Sequence, residues 1–427
     1  MKTLAFVLVG LLMAGTFVSA QPIFDYVNRP DASYGWEKTD ETVLAGGGSV
    51  THLKMTSQVW RDITWTHRMQ VVTPPGMQYP ETALLVITGG TVNANELSQI
   101  ATIAGLISAP IAVLGDIPNQ PLFDGLKEDA LIAFTFQNCL DTGDTTWPLL
   151  FPMTKAAVRA MDAVEQYTQR DWDTPVDSFV VTGASKRGWT TWFTGVVAPE
   201  RIKGIAPMVY DNLNMAAQMR HQVATWGDYS AMIHDYTELD LPDLITTDEG
   251  SWLTSMVDPY TYRARAVMPK LSIMGTNDPY WPLDAASQYS ADMPSPNYLL
   301  YVPNSGHGLD DFMRAIMGQA GFFAACTGRA DMPDLQWTYE HGRHLRLHVT
   351  SDLQPVQVLQ WTASAPTRDF RSAEWSSIEL QPVRGGYLAR MQYPAEGYRA
   401  IFVEANYDIE GRNMPLSTGV TIVGPRD

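Results

Sequence analysis

Hydrophobic and polar positions alternate with three different textures along the chain. Short continuous apolar runs at 83–87, 110–114, 179–182, 202–209, 270–275 and 297–302 predict strands buried on both faces of a mainly parallel sheet. Between them, helical spacing marks 96–106, 151–169 (Ala157, Met161, Val164), 283–292 and 309–326. Strands taking turns with helices predict an α/β fold with a doubly wound, mostly parallel sheet. Ahead of this set, 62–72 alternates imperfectly, as a strand ended by Pro74, Pro75 and Gly76, and 21–60 reads as an edge hairpin or docking arm. A stretch at 211–262 breaks the rhythm. It is helix-rich and irregular, carries Trp226, Tyr229, Tyr236, Trp252 and Tyr260, and falls where the carboxyl edge of such a sheet receives a lid. These aromatics are lid core or, in part, substrate-facing.

Beyond about residue 330 the period changes to two. Leu345, Leu347 and Val349 alternate with Arg346 and His348, and Ile401, Val403, Ala405 and Tyr407 repeat the pattern, with turn residues every ten or so positions. This predicts an antiparallel β-sandwich of six or seven strands, immunoglobulin- or fibronectin-like, over 340–427. The α/β domain then spans 21–330, with the boundary between Gly328 and Gly342.

The first twenty residues change the compartment. Lys2, an apolar run over 4–18 and Val-Ser-Ala before Gln21 form a secretory leader with small residues placed for cleavage after Ala20. The mature protein is expected to be secreted or periplasmic, with no stable membrane insertion. A formal charge of −17 argues against nucleic-acid partners, which require basic surface. Cys139 and Cys326 are the only cysteines; two free buried thiols are expected, with a single bridge as the alternative. The sequence leaves the oligomeric state open.

The candidate chemistry centres on Ser178 to Thr190, SFVVTGASKRGWT. A β-branched run meets Gly183, Ala184, Ser185, two cations and Gly188, then a helix-compatible stretch. This is a strand turning sharply into a helix with a serine at the apex, a turn that costs a non-glycine residue about 1–2 kcal/mol. It exposes Ser185 and makes the Lys186 N–H an oxyanion donor. The serine requires a base, and an acid to orient that base. Of eight histidines, His52 and His67 precede the serine, His221 and His234 lie in the insertion, and His341, His344 and His348 belong to the β-module. Only His307 remains, in Asn-Ser-Gly-His-Gly after the last α/β strand. Asp278, in Gly-Thr-Asn-Asp-Pro after the preceding strand, is the expected acid, with Asp310 and Asp311 as fallbacks. The serine, acid, histidine order is that of the α/β-hydrolase sheet. Gly89 or Gly90, after the 83–87 run, is the expected second oxyanion donor. Arg187, Trp189, Tyr280, Trp281 and Trp226 are candidate pocket residues, and Lys186 or Arg187 could also meet a substrate carboxylate. The clustered His341, His344 and His348 lack a carboxylate or cysteine at ligand spacing, so no metal is expected. No dinucleotide or phosphate-binding fingerprint occurs, and no cofactor is expected.

Arg187 occupies the second glycine position of the usual GxSxG, and Gly188 follows one later, a spacing similar to that of glucuronoyl esterases. GASKRGWTTWF at 183–193, GTNDPYWP at 275–282, NSGHGL at 304–309 and Asp369, Phe370, Arg371 and Trp375 together resemble the PhoPQ-activated pathogenicity-related protein family. The resemblance covers nearly the whole mature chain. It implies an exported α/β-hydrolase-fold protein with Ser185, Asp278 and His307 on the motif positions, but it supplies no substrate. The expected activity is that of a serine hydrolase acting on a small-molecule or peptide ester or amide, an ester being favoured. The alternative is a secreted binding or signalling protein on a hydrolase scaffold.

Overall fold

The computed structural model describes residues 21–44 and 46–426; the leader expected at 1–20 lies outside them. After a short helix, Pro22–Asn28, come three antiparallel strands, β1 (Gly35–Val43), β2 (Ser49–Trp60) and β3 (Ile63–Thr73). Six further strands follow: β4 (Thr82–Ile87), β5 (Ile111–Leu114), β6 (Ser178–Ala184), β7 (Ile202–Met208), β8 (Lys270–Gly275) and β9 (Asn297–Val302). They lie side by side in the order β5-β4-β6-β7-β8-β9, all parallel, with β3 antiparallel on the β5 side. Each apolar run became one of these strands because both of its faces are covered. In β4, Ala83, Leu85 and Ile87 enter one core and Leu84 the other, the period-two split of a strand between two layers. The first layer holds helices Glu128–Thr142, Leu150–Asp171 and Lys186–Val197; the second holds Ala94–Ile107 and Phe312–Cys326.

From β4 the chain crosses to β5 on one side, and from β6 it advances to β7 on the other. The order reverses between the neighbours β4 and β6. At such a switch point the loops leaving two adjacent strands diverge and a crevice opens above their carboxyl ends. Those loops begin at Thr88 and Ser185.

The insertion expected at 211–262 lies between β7 and β8 and holds helices Met215–Trp226, His234–Thr237, Leu241–Leu244 and Asp248–Val257. The helix expected at 283–292 is instead two single turns, Ala285–Gln288 and Ser290–Asp292. Tyr289 breaks it at φ −147° and buries its ring in the core. Helix Glu128–Thr142 was not expected: its apolar residues carry only a weak one-sided bias.

Beyond residue 334 follow β10 (Leu335–His341), β11 (Leu345–Ser351), β12 (Gln357–Ala365), β13 (Ser376–Glu379), β14 (Tyr387–Met391), β15 (Tyr398–Ile409), β16 (Arg412–Ser417) and β17 (Thr421–Val423). One antiparallel sheet is β10-β11-β14; the other runs β16-β15-β12-β13, with β17 on β15. The second is not separate from the α/β sheet. Strand β16 pairs with β9 at Ser417 and Leu299, and the Tyr301 N–H donates to Ser417 Oγ at 3.0 Å, giving one fourteen-stranded sheet. Both cysteines are free thiols, Cys139 in the core.

Candidate active site

Strand β6 delivers Ser185 at φ 58° and ψ −124°, and the helix Lys186–Val197 starts on the next residue. The turn is held by the Ser185 N–H donating to Met208 O at 2.9 Å. Its small neighbours are obligatory. A Cβ on Gly183 would stand 2.7 Å from Arg187 O, and one on Gly188 would stand 2.9 Å from Met208 O. A positive φ at a serine is strained, and it persists where the surrounding structure holds it.

His307 Nε2 lies 2.9 Å from Ser185 Oγ, and His307 Nδ1 lies 2.8 Å from Asp278 Oδ2. Asp278 is 7% exposed, and its other oxygen accepts the Tyr280 N–H at 2.8 Å. The carboxylate therefore accepts a hydrogen bond from Nδ1–H, which fixes the tautomer and leaves the Nε2 lone pair facing the serine hydroxyl. Tyr280 packs against the imidazole with ring centroids 4.1 Å apart and planes tilted by 30°. Three loops, leaving β6, β8 and β9, thus bring their side chains into one hydrogen-bonded chain. The fallback Asp310 and Asp311 are engaged elsewhere, on the Gly306 N–H and on Arg314.

A cavity of about 60 Å³ adjoins Ser185 beneath the insertion, walled by Phe136, Trp189, Tyr210, Met219, Ile245 and Trp281, with Tyr280 at its side. At ~10–15 Å³ per water this holds roughly four to six heavy atoms. Among its lining residues the charges are Lys186 and Asp129. Lys186 Nζ donates to Asp129 Oδ2 at 2.8 Å, and Tyr236 of the insertion donates to Asp129 Oδ1 at 3.0 Å. Burial would lower the Lys186 ammonium, but the Asp129 and Glu128 carboxylates outweigh it and raise it.

Two expected pocket residues are placed elsewhere. Arg187 is 9% exposed and does not line the cavity. Its guanidinium forks onto Glu128 at 2.6 and 2.7 Å and donates from Nε to Ile117 O at 2.6 Å, so its charge is already paired with a carboxylate of this chain. It also packs on Gly89, where a Cβ would stand 2.1 Å from Nη2. Trp226 lies 4.3 Å under the Arg371 guanidinium of the C-terminal module. Gly89 and Gly90 follow β4, the strand beside β6, with Ile87 opposite Gly183. Tyr236, one of the insertion aromatics, lines the cavity, whereas Glu128 and Asp129 carried no sequence signal because their partners lie 57 to 107 residues away. Among the described residues, no group of three or more histidine, cysteine or acidic side chains is arranged to hold a metal ion.

Among solved structures the chain is similar to the acetyl xylan esterase from Paenibacillus sp. R4, with a TM-score of 0.47 and 14% identity over 69% of this chain and 91% of that one. It is also similar to acetyl xylan esterase 1 from Thermoanaerobacterium sp. JW/SL YS485, with a TM-score of 0.45 and 15% identity over 69% and 93%. Over 447 residues, 95% of this chain and 90% of its relative, it is 31% identical to autocrine proliferation repressor protein A of Dictyostelium discoideum. Residues 23–371 match the PhoPQ-activated pathogenicity-related proteins, and the chain belongs to that family.

Proposed function

We propose that the protein is an exported serine hydrolase that cleaves an ester or amide through an acyl-enzyme. The observation that carries this reading is the chain from Ser185 through His307 to Asp278, at 2.9 and 2.8 Å, on a strained strand-to-helix turn beside an apolar cavity. Ser185 Oγ attacks the carbonyl carbon as its proton passes to His307 Nε2, and Asp278 stabilises the imidazolium. The Lys186 N–H, with that of Gly89 or Gly90, holds the tetrahedral oxyanion. The intermediate collapses, the leaving alcohol or amine takes the proton from His307, and water repeats the sequence to free the acid. The cavity size favours a short apolar acyl group. Asp129, the only carboxylate in its lining, has both oxygens engaged, which supports an ester over a substrate gripped by a free ammonium group. The C-terminal strand order, β10-β11-β14 against β16-β15-β12-β13, supports a fibronectin-type sandwich.

The name of the Dictyostelium relative favours a second reading, a secreted growth regulator with little or no catalysis. A fluorophosphonate probe separates the two. Labelling of the wild type that is lost in Ser185→Ala supports the hydrolase, and turnover of a panel of short-chain esters then ranks acyl groups. Folded wild type that resists the probe refutes it.

A further inference from the structure

The motif Asp369, Phe370, Arg371 and Trp375 takes no part in the chemistry above, yet it lies against it. These residues belong to the loop between β12 and β13, which the C-terminal module sends back to the α/β sheet. Phe370 and Trp375 are buried, and Trp375 packs on Phe402 of β15 at 5.2 Å, so the loop is anchored in the module core. Its backbone is presented to two asparagines. Asn277 Nδ2 lies 3.2, 3.3 and 2.7 Å from the carbonyl oxygens of Phe370, Arg371 and Ala373. Asn304 donates from Nδ2 to Trp375 O at 3.0 Å and accepts the Trp375 N–H at 2.7 Å. Thr276 joins the two: its hydroxyl donates to Asn277 Oδ1 at 2.7 Å and accepts the Asn304 N–H at 2.9 Å.

The spacing of these residues gives the network its meaning. Asn277 immediately precedes Asp278, and Asn304 stands three residues before His307. The carboxylate and the imidazole ride on separate loops, and each loop has one amide side chain tied to the same third body.

We propose that Asn277, Asn304 and Thr276 are positioning residues of the active site, and that the 366–375 loop of the C-terminal module is the template against which Asp278 and His307 are aligned. This rests on the hydrolase reading above. None of the three touches Ser185 in the hydrogen-bond network; they act through their neighbours. A constellation of this kind works only when held within about 0.5 Å, and a displacement near 1 Å costs on the order of a hundredfold in rate. A backbone template suits that task, because carbonyls anchored by buried aromatics do not change rotamer.

The test compares Asn277→Ala, Asn304→Ala, Thr276→Val and Thr276→Ser by thermal melting, by the rate of fluorophosphonate labelling, and by kcat and KM on a short-chain p-nitrophenyl ester. The first three are expected to lower kcat and labelling about ten- to a hundredfold with KM changed by less than about threefold, while Thr276→Ser keeps most of the activity. Folded Asn277→Ala and Thr276→Val proteins with wild-type kcat overturn the inference. So does Thr276→Ser as impaired as Thr276→Val, or failure of all the variants to fold, which marks a purely structural network. Wild type that resists the probe is a different failure: it refutes the hydrolase reading itself.

Discussion

Gly275, the last residue of β8, tests the site geometry with one methyl group. A Cβ there would stand 2.3 Å from Ser305 O and 2.4 Å from Gly306 O, both backbone atoms of the loop that carries His307. An ordinary contact needs about 3.4 Å, so in Gly275→Ala that loop retreats by roughly 1 Å. The retreat strains the Asn277 N–H to Ser305 O bond, now 2.9 Å, and stretches the 2.9 Å contact between His307 and Ser185 towards 4 Å, past hydrogen-bond reach. Misplacing a general base by that distance costs about a hundredfold, or roughly 2.7 kcal/mol of barrier. The overpacking itself costs about 1–3 kcal/mol of stability, which a large core tolerates. Fluorophosphonate labelling measures the barrier, and circular dichroism melting confirms the fold. Gly308→Ala is the control, because it lies beside His307 but its Cβ would meet nothing within 4 Å. The reasoning fails if folded Gly275→Ala is labelled within threefold of wild type, or if Gly308→Ala is impaired equally.

Two further predictions concern charge. Burial would raise the Glu128 carboxyl, but the hydrogen bonds and charge of Arg187, helped by Gln120 and Lys186, hold it at about 2. A depressed carboxyl stabilises the fold above its ordinary range near 4.5, and that contribution fades as pH falls towards 2. Because Glu128 is 39% exposed, solvent screening reduces it to about 1 kcal/mol. Glu128→Gln should therefore melt below wild type at pH 7, with the gap closing as pH falls from about 5 towards 2; a gap independent of pH refutes the pairing. Asp211, 3% exposed after β7, behaves oppositely: burial chiefly, with the Asp278 and Asp284 charges nearby, pushes it up to about 7. The unfolded chain loses this proton near pH 4 and the folded chain keeps it, so the penalty grows from pH 4 to 7 and then levels off at no more than about 4 kcal/mol. Asp211→Asn should match wild type in melting at pH 4 and exceed it at pH 8, and equal melting at pH 8 defeats the assignment.

How much of this was legible in the sequence depends on where each signal resides. The central strands were readable because burial on both faces forces continuous apolar runs. The elbow was readable because its sterics allow only small residues at 183 and 188. The contact of His307 with Ser185 was readable from chain order, a topological property that survives in one dimension. The pairing of Arg187 was not, since a guanidinium next to a nucleophile looks the same in sequence whether it awaits a substrate or is neutralised by a glutamate 59 residues earlier. The helix at 128–142 escaped for a related reason. Leu131, Ile132, Ala133, Phe136 and Cys139 are buried, but they wrap more than one face and leave little periodicity. The turn of residues at 283–292 was misread because local propensity there yields to the burial of a single tyrosine.

The change of texture near residue 330 was real as a change of period, but it does not mark a break in the sheet. That continuity bears on how the site is held. Ser185 leaves β6, a middle strand hydrogen-bonded on both sides, and its position is fixed by the elbow itself. Asp278 and His307 leave β8 and β9, the last two strands of the parallel set, and without the C-terminal module β9 would be an exposed edge. An edge strand has half its ladder unpaired, and the loop beyond it inherits that freedom. Strand β16 covers this edge at Leu299 and Tyr301, and Arg314, two residues into the following helix, pairs with the fully buried Glu404 of β15 at 2.6 Å. Ser185 is held from within the α/β sheet, whereas the loops of Asp278 and His307 are tied to backbone beyond residue 330. The C-terminal strands therefore have their strongest physical connection to the loops of Asp278 and His307, which the α/β sheet supports least.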